Sequence, residues 1–289
     1  MSARRHRPGP LMISVILPVL DAWPWVEEQL RALAAQKCEE PWEVVVADNG
    51  STDGSLEFAR TWCGGHEGFR LVDASESPGA PATRNAGVRD STGDLLAFCD
   101  ADDVVHAGWL QAMVDALQDA DVVAGAFDFW SLNRIPPTPA IPAANRQLGF
   151  LPAGLGANLA IRRVAFEEVG GFNDDLFVGE DIDLCWQTQL RGHRFSYAWD
   201  AIVSKRERYG SRDVFRQAFA YGRCGPMLFR RYRNHGARRD LLGAAKSWLW
   251  LLLSCWMVFS RERRYDLART AGMRLGRIAG SMEQQVLFP

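Results

Sequence analysis

Short apolar, β-rich runs alternate with helical patterns through the first third of the chain. Four such runs predict buried strands, at Met12–Pro18, Trp42–Asp48, Phe69–Asp73 and Asp94–Cys99. Between them, apolar residues recur at helical spacing over Trp25–Gln36, Ser55–Trp62 and Ala82–Asp90. Strands that alternate with helices predict βαβ units, and therefore an α/β fold with a mostly parallel central sheet.

The pattern changes twice further along the chain. The proline-rich span Ile135–Pro142 predicts an irregular linker between a first half, residues 11–130, and a second half, residues 131–204. A helix at Arg163–Val169, a helix through Leu190 and a strand near Phe195–Trp199 are expected to close this domain. Residues 205–289 turn helical and basic, and we expect them to form a C-terminal extension.

The charge is distributed unevenly. The whole chain carries −2, but residues 205–239 alone carry +9 and residues 240–289 carry +3, which leaves −14 on residues 1–204. The apolar run Trp248–Phe259 is too short to span a bilayer, which needs roughly 20 residues. Arginines 261, 263 and 264 follow it, so we expect the extension either to lie on an anionic membrane or to pack against the domain.

Composition narrows the class of protein. With 289 residues and 47% hydrophobic content, the chain can bury a full core. Its six cysteines are widely spaced without a CxxC pair, which argues against a zinc ribbon or a disulfide framework and favours a reducing, cytoplasmic setting. Residues 1–10 are basic and lack an apolar stretch, so they predict a disordered lead-in rather than a secretory signal. We expect no nucleic-acid partner, and the oligomeric state stays open.

Acidic residues follow three of the predicted strands. These are Asp21, then Asp48 with Asp53, and then Asp100 with Asp102. Open α/β sheets bind ligands outside the carboxyl ends of their strands, so the three positions are expected to share one pocket.

The sequence Asp100-Ala101-Asp102 places two carboxylates at one turn, where they suit a hard divalent cation that also binds diphosphate oxygens. A solvated turn or a helix cap is the alternative interpretation. Asp48, Asn49 and Asp53 suit contacts with the base or ribose of a nucleotide, and the alternative is an Asx turn followed by a helix cap.

Two further motifs carry candidate chemistry. Gly79 begins a loop and helix start that contains Arg84, which suits a diphosphate through the helix dipole and the guanidinium. Arg84 as a plain surface residue is the alternative. Glu180 and Asp181 follow a glycine at the start of an amphipathic helix, where acidic residues also serve as helix caps.

Taken together, these residues resemble glycosyltransferase family 2 over about Met12–Ala201. The matching motifs are Val15-Ile16-Leu17-Pro18-Val19-Leu20, Val46-Ala47-Asp48-Asn49-Gly50-Ser51-Thr52-Asp53, Ala82-Thr83-Arg84-Asn85-Ala86-Gly87, Phe98-Cys99-Asp100-Ala101-Asp102-Asp103, Gly156-Ala157-Asn158 and Gly179-Glu180-Asp181-Ile182-Asp183. The resemblance implies a GT-A fold, a UDP-, GDP- or dTDP-sugar donor, Mn²⁺ or Mg²⁺, and transfer to an acceptor hydroxyl with inversion. A UDP-sugar is the favoured donor, and the acceptor is unidentified.

The motifs and the resemblance together predict roles for individual residues; the resemblance implies those of Pro18–Leu20, Asp48, Asp53, Asp100, Asp102 and Asp181. Donor contacts are expected at Pro18, Val19, Leu20, Asp48, Asn49, Asp53, Gly79, Arg84, Asp100, Ala101 and Asp102, with the metal at Asp100 and Asp102. Asp181 is expected to be the general base, with Glu180 beside it as the second catalytic candidate. Acceptor contacts are expected at Gly156, Asn158 and Trp186.

Two departures from the family pattern affect these expectations. Processive members carry a QxxRW motif, whereas the nearest counterpart here runs from Gln217 to Arg223, which favours transfer of a single sugar. Many relatives also have a histidine near position 204 or 205 that joins the metal shell, and this chain has Ser204-Lys205-Arg206 instead. Strict metal dependence is therefore an open question.

Two other classes compete with this interpretation. A nucleotide-sugar-binding or membrane-associated scaffold of the same fold, with weak catalysis, is the main alternative. The presence of Asp102 and Asp181 argues against it. A nucleotidyltransferase also combines such a sheet with metal-binding carboxylates, but Met12–Asp21 lacks the glycine-rich, basic signature that such an enzyme usually shows.

Overall fold

The computed structural model describes residues 11–133, 141–142, 144–145, 147–207, 210–260 and 263–289. The chain divides into two compact units: the first comprises Met1–Asn145 with Ala153–Arg206, and the second comprises Arg146–Pro152 with Glu207–Pro289. The lead-in at residues 1–10 and residues 135–140 of the linker lie outside the described residues. The predicted division of the chain at residue 204 stays a prediction.

The first unit is built on a mixed β-sheet. Its strands are β1 (Ile13–Val19), β2 (Trp42–Asp48), β3 (Phe69–Asp73), β4 (Leu95–Cys99), β5 (Val104–Val105), β6 (Val122–Asp128), β7 (Ile141–Pro142), β8 (Ala144–Asn145), β9 (Ala153–Gly154), β10 (Asn158–Arg162) and β11 (Phe195–Ser204). The larger sheet has the order β3-β2-β1-β4-β10-β6-β11-β5, with β7 beside β6, and β8 pairs separately with β9. Strands β3, β2, β1 and β4 are parallel, as predicted, and β6 is parallel to β11. Strand β10 runs antiparallel between β4 and β6.

Helices cover the sheet and make up most of the second unit. Those of the first unit are α1 (Trp25–Ala34), α2 (Ser55–Gly65), α3 (Ala80–Arg89), α4 (Trp109–Ala116), α5 (Arg163–Glu168) and α6 (Glu180–Leu190). Those of the second unit are α7 (Ser211–Tyr232), α8 (Leu241–Leu253) and α9 (Arg264–Glu283), with 3₁₀ turns at Gln147–Gly149, Arg233–His235 and Cys255–Phe259.

The apolar runs that predicted strands are the core of the sheet. Strands β2 and β3 have the predicted bounds, and β1 and β4 each begin one residue later than predicted. Every residue of β4 is buried, as expected for a strand covered on both faces. Strands β6 and β10 were not predicted, and the last strand continues five residues beyond its predicted end, to Ser204.

Close packing of α7 on α9 organises the second unit. A Cβ atom at Gly276 would lie 2.1 Å from the carbonyl oxygen of Phe219, and one at Gly222 would lie 2.3 Å from that of Met273. Only glycine therefore permits the two helix backbones to approach this closely. In the described part of the chain, each helix is either too short or too polar to cross a bilayer.

Candidate active site

The acidic residues predicted at strand ends lie at one edge of the sheet. Strand β1 pairs in parallel with both β2 and β4, so the loops that follow these three strands are neighbours. Asp21 follows β1, Asp48 ends β2 and Asp100 follows β4. The topology therefore gathers the predicted acidic clusters as the strand order requires.

Asp48 holds the loop that follows β2. Its Oδ2 accepts hydrogen bonds from the backbone N–H groups of Gly50 (2.9 Å) and Ser51 (3.0 Å), which forms the Asx turn considered above. The side chain is 2% exposed, and its Oδ1 has no hydrogen-bond partner among the described residues. A buried carboxylate oxygen without a partner is costly, so this oxygen is a candidate acceptor for a ligand donor.

Asn49 and Asp53 tie neighbouring loops together. The Asn49 amide donates to the carbonyls of Ala74 and Ser77, and its oxygen accepts from the backbone N–H of Gly79. Asp53 accepts from the N–H and hydroxyl of Ser55 and from the N–H of Trp23. In this structure both side chains shape the loops around the sheet edge. Asp53 bonds the first residue of α2, whereas the N-cap position of that helix is Gly54 and carries no side-chain cap, so the predicted nucleotide contact of Asp53 stays a prediction.

The other predicted donor residues differ in their exposure. At the end of β1, Val19 is buried whereas Leu20 is 54% exposed, and Pro18 is half-buried. Gly79, with φ +106°, precedes α3, and the exposed Phe177 ring lies 3.1 Å from where a Cβ atom would stand. Leu20, Pro18 and Gly79 therefore have surface to offer a ligand, whereas Val19 has almost none.

Arg84 links the two halves of the candidate site. Its side chain projects from α3 and is buried, with Nη2 2.8 Å from Asp100 Oδ1 and Nη1 2.7 Å from Glu180 Oε1. Its Cζ lies 5.5 Å from the centre of the Phe172 ring, and a Cβ atom at Gly156 would come within 2.9 Å of that Cζ. In this structure two carboxylates engage the guanidinium, and the predicted diphosphate contact of Arg84 stays a prediction.

Asp100, Asp102 and Asp103 form an acidic cluster in the loop after β4. One carboxylate oxygen of each residue lies within 4.8 Å of the others. These are hard oxygen ligands of the kind that Mg²⁺ and Mn²⁺ prefer, so the metal site at Asp100 and Asp102 stays a prediction with suitable ligands. Ala101, between them, is buried at 5% exposure, which leaves only its backbone as a candidate donor contact.

Two basic residues that follow β11 reach this acidic cluster. Lys205 Nζ lies 3.3 Å from Asp100 Oδ2 and 2.7 Å from Asp103 Oδ2. The Arg206 backbone N–H donates to Asp103 Oδ1, its Nε donates to the Asp102 carbonyl, and its Nη2 pairs with Glu28. Neither the basic segment 205–239 nor the missing histidine near position 204 or 205 predicted these contacts.

Burial and neighbouring charges set the protonation of the cluster. Burial would raise the pKa of Asp100, but Lys205 and Arg84 hold it below its ordinary value. Burial raises the pKa of Asp103 to about 7, although Lys205 opposes the shift. Burial would lower the pKa of Lys205, but Asp100 and Asp103 raise it above its ordinary value, so this side chain stays an ammonium.

Glu180 and Asp181 begin α6 on the other side of Arg84. Glu180 is buried against the guanidinium, and burial together with the charge of Asp181 raises its pKa to about 7. Asp181 is half-buried; its Oδ2 accepts from the Gly156 N–H (2.9 Å) and its Oδ1 from the Ile182 N–H (2.7 Å). Burial also raises the pKa of Asp181, and both amides oppose that shift.

Two predicted acceptor contacts lie in the core. Asn158 is fully buried, where it accepts from Trp109 Nε1 (2.8 Å) and donates to the carbonyls of Ala126 (2.8 Å) and Ala201 (3.0 Å). Trp186 is also fully buried. Side chains without exposed surface cannot touch an acceptor, so in this structure both residues support the packing instead. Gly156 stays near the site through its N–H bond to Asp181.

Comparisons with known proteins identify what the chain is similar to. The family model described as Glycosyl transferase family 2 matches residues 14–170, and that of Glycosyl transferase family group 2 matches residues 142–271. Glycosyltransferase AglE of Haloferax volcanii is 29% identical over 204 residues, which is 66% of this chain and 65% of the relative. A pre-mycofactocin glycosyltransferase of Mycobacterium tuberculosis is 28% identical over 84% of this chain and 54% of its own length. The chain therefore spans less than two thirds of these relatives.

Solved structures show the same fold. The mannosyltransferase PcManGT from Pyrobaculum calidifontis, solved in complex with GDP-Man and Mn²⁺, aligns with a TM-score of 0.64 at 20% identity. The alignment covers 94% of this chain and 87% of that structure. The predicted GT-A fold, an α/β sandwich with helices after it, is confirmed by this likeness and by the sheet described above.

Proposed function

The chain belongs to glycosyl transferase family 2, and from this premise we propose that it transfers a single sugar from a nucleoside-diphosphate sugar to an acceptor hydroxyl, with inversion. Asp100 and Asp102 serve the donor diphosphate and its metal, and Asp181 serves as the general base. The observation that carries the proposal is the double contact of Arg84, because one buried guanidinium joins Asp100 of the donor motif to Glu180, the neighbour of Asp181.

The donor half of the proposal rests on the sheet edge after β1, β2 and β4. The partnerless Asp48 Oδ1 is available to accept a hydrogen bond from the base or ribose. A Mn²⁺ or Mg²⁺ ion bound by Asp100 and Asp102 would neutralise charge on the departing diphosphate. The complex of PcManGT with GDP-Man and Mn²⁺ supports a nucleotide-sugar donor and a divalent metal for the shared fold. A UDP-sugar is the first donor to test.

Asp181 suits the role of base better than Glu180 does. A Glu180 oxygen is paired with Arg84 and its side chain is buried, whereas Asp181 is half-buried and accepts only two backbone N–H groups among the contacts described above. A raised pKa also makes the Asp181 carboxylate a stronger base than an exposed aspartate.

The proposed reaction is one displacement at the anomeric carbon. The acceptor oxygen forms a bond to C1 while the bond from C1 to the diphosphate oxygen breaks and its electron pair leaves with the diphosphate. The acceptor proton passes to the Asp181 carboxylate. Arg84 holds Glu180 and Asp100 in place without entering the reaction.

Replacement of Asp181 by Asn tests the proposal. Loss of a positioned base should reduce kcat by about 10² to 10⁴ while the Kd of the nucleotide sugar stays nearly unchanged. The readout is free nucleoside diphosphate released from the donor, with donor binding measured by thermal shift. Asp175→Asn, at an exposed turn nearby in the chain, is the matched control.

The outcomes separate the alternatives. Near-wild-type turnover by Asp181→Asn would transfer the role of base to Glu180, and loss of donor binding would make Asp181 a donor ligand. A wild-type chain that binds nucleotide sugars and releases no nucleoside diphosphate with any acceptor would favour the scaffold. Release of pyrophosphate would favour a nucleotidyltransferase.

We further propose that the second unit contacts an anionic membrane surface peripherally. Large apolar side chains along α8 and the following 3₁₀ turn are exposed, including Leu249, Leu252, Leu253, Trp256, Val258 and Phe259. Phe259 is 90% exposed, and the guanidinium of Arg263 lies 5.6 Å from the centre of the Trp256 ring. An exposed apolar patch beside cationic side chains suits the boundary between acyl chains and anionic headgroups.

Co-sedimentation with phosphatidylcholine vesicles, with and without phosphatidylserine, tests this contact. We expect the intact chain to bind the anionic vesicles and Leu252→Ser/Phe259→Ser to lose most of that binding. The control Met282→Ser/Leu287→Ser removes apolar side chains of similar exposure elsewhere in the unit. Equal loss in both double variants, or no binding by the intact chain, would contradict the proposal.

A further inference from the structure

Lys205 places a positive charge where the donor site is expected to hold its metal. The residue directly follows β11, and its backbone N–H donates to the Asp128 carbonyl at 2.8 Å, which extends the strand by one bond. From this anchored position the ammonium reaches both Asp100 and Asp103, at 3.3 and 2.7 Å. The side chain is 25% exposed, and Nζ lies 5.9 Å from the centre of the Phe127 ring.

Groups of the protein already engage both carboxylates. Asp100 Oδ1 accepts from Arg84 and Oδ2 from Lys205. Asp103 Oδ1 accepts from the Arg206 N–H and Oδ2 from Lys205. The cluster is thus charge-compensated and hydrogen-bonded by the chain itself.

A divalent cation at this cluster meets a direct competitor. It needs carboxylate oxygens from the same cluster, and Asp100 would then contact both cations. Two cations within a few ångströms of each other repel, and the repulsion is stronger where burial lowers the local dielectric, as it does beside the fully buried Asp103. The Lys205 stem is flexible and its ammonium is a compact point charge, so the ammonium can swing away without backbone movement. A bound metal therefore either displaces the ammonium or binds more weakly because of the repulsion between the two cations.

We propose that the Lys205 ammonium is a tethered cation that competes with the divalent metal at the Asp100–Asp103 acidic cluster, through the Asp100 carboxylate that both contact, and so weakens binding of the metal alone. This inference rests on the proposed function, which assigns the metal to Asp100 and Asp102. If Lys205 compensates the charge of the cluster, the loop that carries Asp100 and Asp103 keeps its structure without metal.

The probe is Mn²⁺ alone, without nucleotide, and the readout is the Kd from the EPR signal of free Mn²⁺. Removal of the competing charge in Lys205→Met should tighten Mn²⁺ binding by about tenfold or more, which corresponds to about 1.4 kcal/mol. Lys205→Arg keeps the charge and should keep the weak binding. Arg206→Met is the matched control. The Arg206 guanidinium contacts Glu28 and the backbone carbonyl of Asp102, and it contacts none of the three carboxylates of the cluster.

A second measurement covers the case in which Lys205→Met folds poorly. With the ammonium gone, Asp100 and Asp103 lose the hydrogen-bond donor that they share, so the variant should lose thermal stability and Mn²⁺ should restore part of it. EDTA should leave the wild-type Tm unchanged. Rescue that is no larger than the Mn²⁺ effect on the wild type would overturn the proposal.

The results also distinguish this inference from the proposed function. Unchanged or weaker Mn²⁺ binding by Lys205→Met, or equal tightening in Arg206→Met, overturns direct competition even if sugar transfer and its dependence on Asp102 are intact. Tighter Mn²⁺ binding by Lys205→Met alone supports the competition even if the chain releases no nucleoside diphosphate from any donor, in which case only the proposed function fails.

Discussion

Replacement of Arg84 by Met should show how much the buried guanidinium contributes to the candidate site. The variant keeps an apolar stem of similar length and removes the charge that pairs with Asp100 and Glu180. The side chain of Arg84 is 5% exposed and that of Glu180 is 9% exposed, so solvent screens their interaction little. Asp100, at 26%, keeps Lys205 as a second partner.

The expected cost follows from the charge left behind. Removal of one partner of a buried ion pair typically costs about 3–5 kcal/mol, mainly because the other charge stays buried without compensation. Glu180 can reduce this cost by taking up a proton. Its pKa is raised to about 7 even with Arg84 present, and loss of Arg84 raises that pKa further.

The sign of the pH dependence follows directly. Attraction to Arg84 favours the ionised form of Glu180. The contribution of this ion pair to the unfolding free energy is therefore present above pH 7, and it is lost as the pH falls through the Glu180 pKa of about 7. The difference in unfolding free energy between wild type and Arg84→Met should therefore be larger at pH 8.5 than at pH 6. In Arg84→Met/Glu180→Gln the uncompensated charge is absent, and part of the stability should return.

Urea unfolding followed by far-UV circular dichroism measures these differences at both pH values. Arg89→Met, at an exposed position on the same helix, is the control and should change stability by no more than about 0.5 kcal/mol. A cost below about 1 kcal/mol for Arg84→Met would refute the interpretation of Arg84 as a buried bridge. So would a cost that is the same at pH 6 and pH 8.5.

Three further predictions test other parts of the site. Asp102→Ala should abolish the Mn²⁺-dependent part of the thermal shift caused by a nucleotide sugar. The control Asp119→Ala, at an exposed turn, should keep that part of the shift. A retained Mn²⁺ response in Asp102→Ala would mean that the metal binds elsewhere. Burial raises the pKa of Asp181, and a base must be deprotonated to act. As the pH is lowered, kcat/KM should therefore begin to fall at a higher pH than an exposed aspartate would give. A fall in the ordinary pH range of an exposed aspartate would contradict this prediction. Asn158→Ala leaves Trp109 and two carbonyls without their buried partner, so a loss of at least about 3 kcal/mol is expected by urea unfolding, and a loss under 1 kcal/mol would argue against the buried network.

The parallel part of the sheet could be predicted from sequence because its signals are local. Strands β2 and β3 have the predicted bounds, since each is an apolar run that ends in turn-forming residues. Strand β6 was missed because three small residues of low strand propensity, Ala124, Gly125 and Ala126, stand in its middle. A Cβ atom at Gly125 would lie 2.3 Å from the Ala201 carbonyl and 2.4 Å from the Asn158 amide, so close approach of β10 and β11, rather than strand propensity, determines that residue.

The candidate site shows the same limit on a larger scale. The residue types at Asp48, Asp100 and Asp181 were identified because each acid stands in a motif at a predicted strand end or helix start. The partners of these acids depend on contacts between distant parts of the chain, since Arg84 meets Glu180 across 96 positions and Lys205 meets Asp103 across 102. No local pattern indicates which cation reaches which carboxylate.

The two cations also explain why separate motifs can act together. Arg84 and Lys205 divide the oxygens of Asp100 between them, so a single carboxylate connects α3, the loop after β4 and the end of β11. A change in the charge at Asp100, whether by metal or by diphosphate, therefore alters the electrostatic partner of Glu180 at the start of α6. Because Asp181 is the next residue, the protonation of the proposed base should respond to occupation of the donor site.

The pH at which each kinetic parameter falls on the acid side would measure that coupling. For kcat this pH reports the enzyme with substrates bound, and for kcat/KM it reports the free enzyme, so a difference between the two is expected. The same pH for both parameters would show that Arg84 only holds the structure together and passes no charge effect to the base.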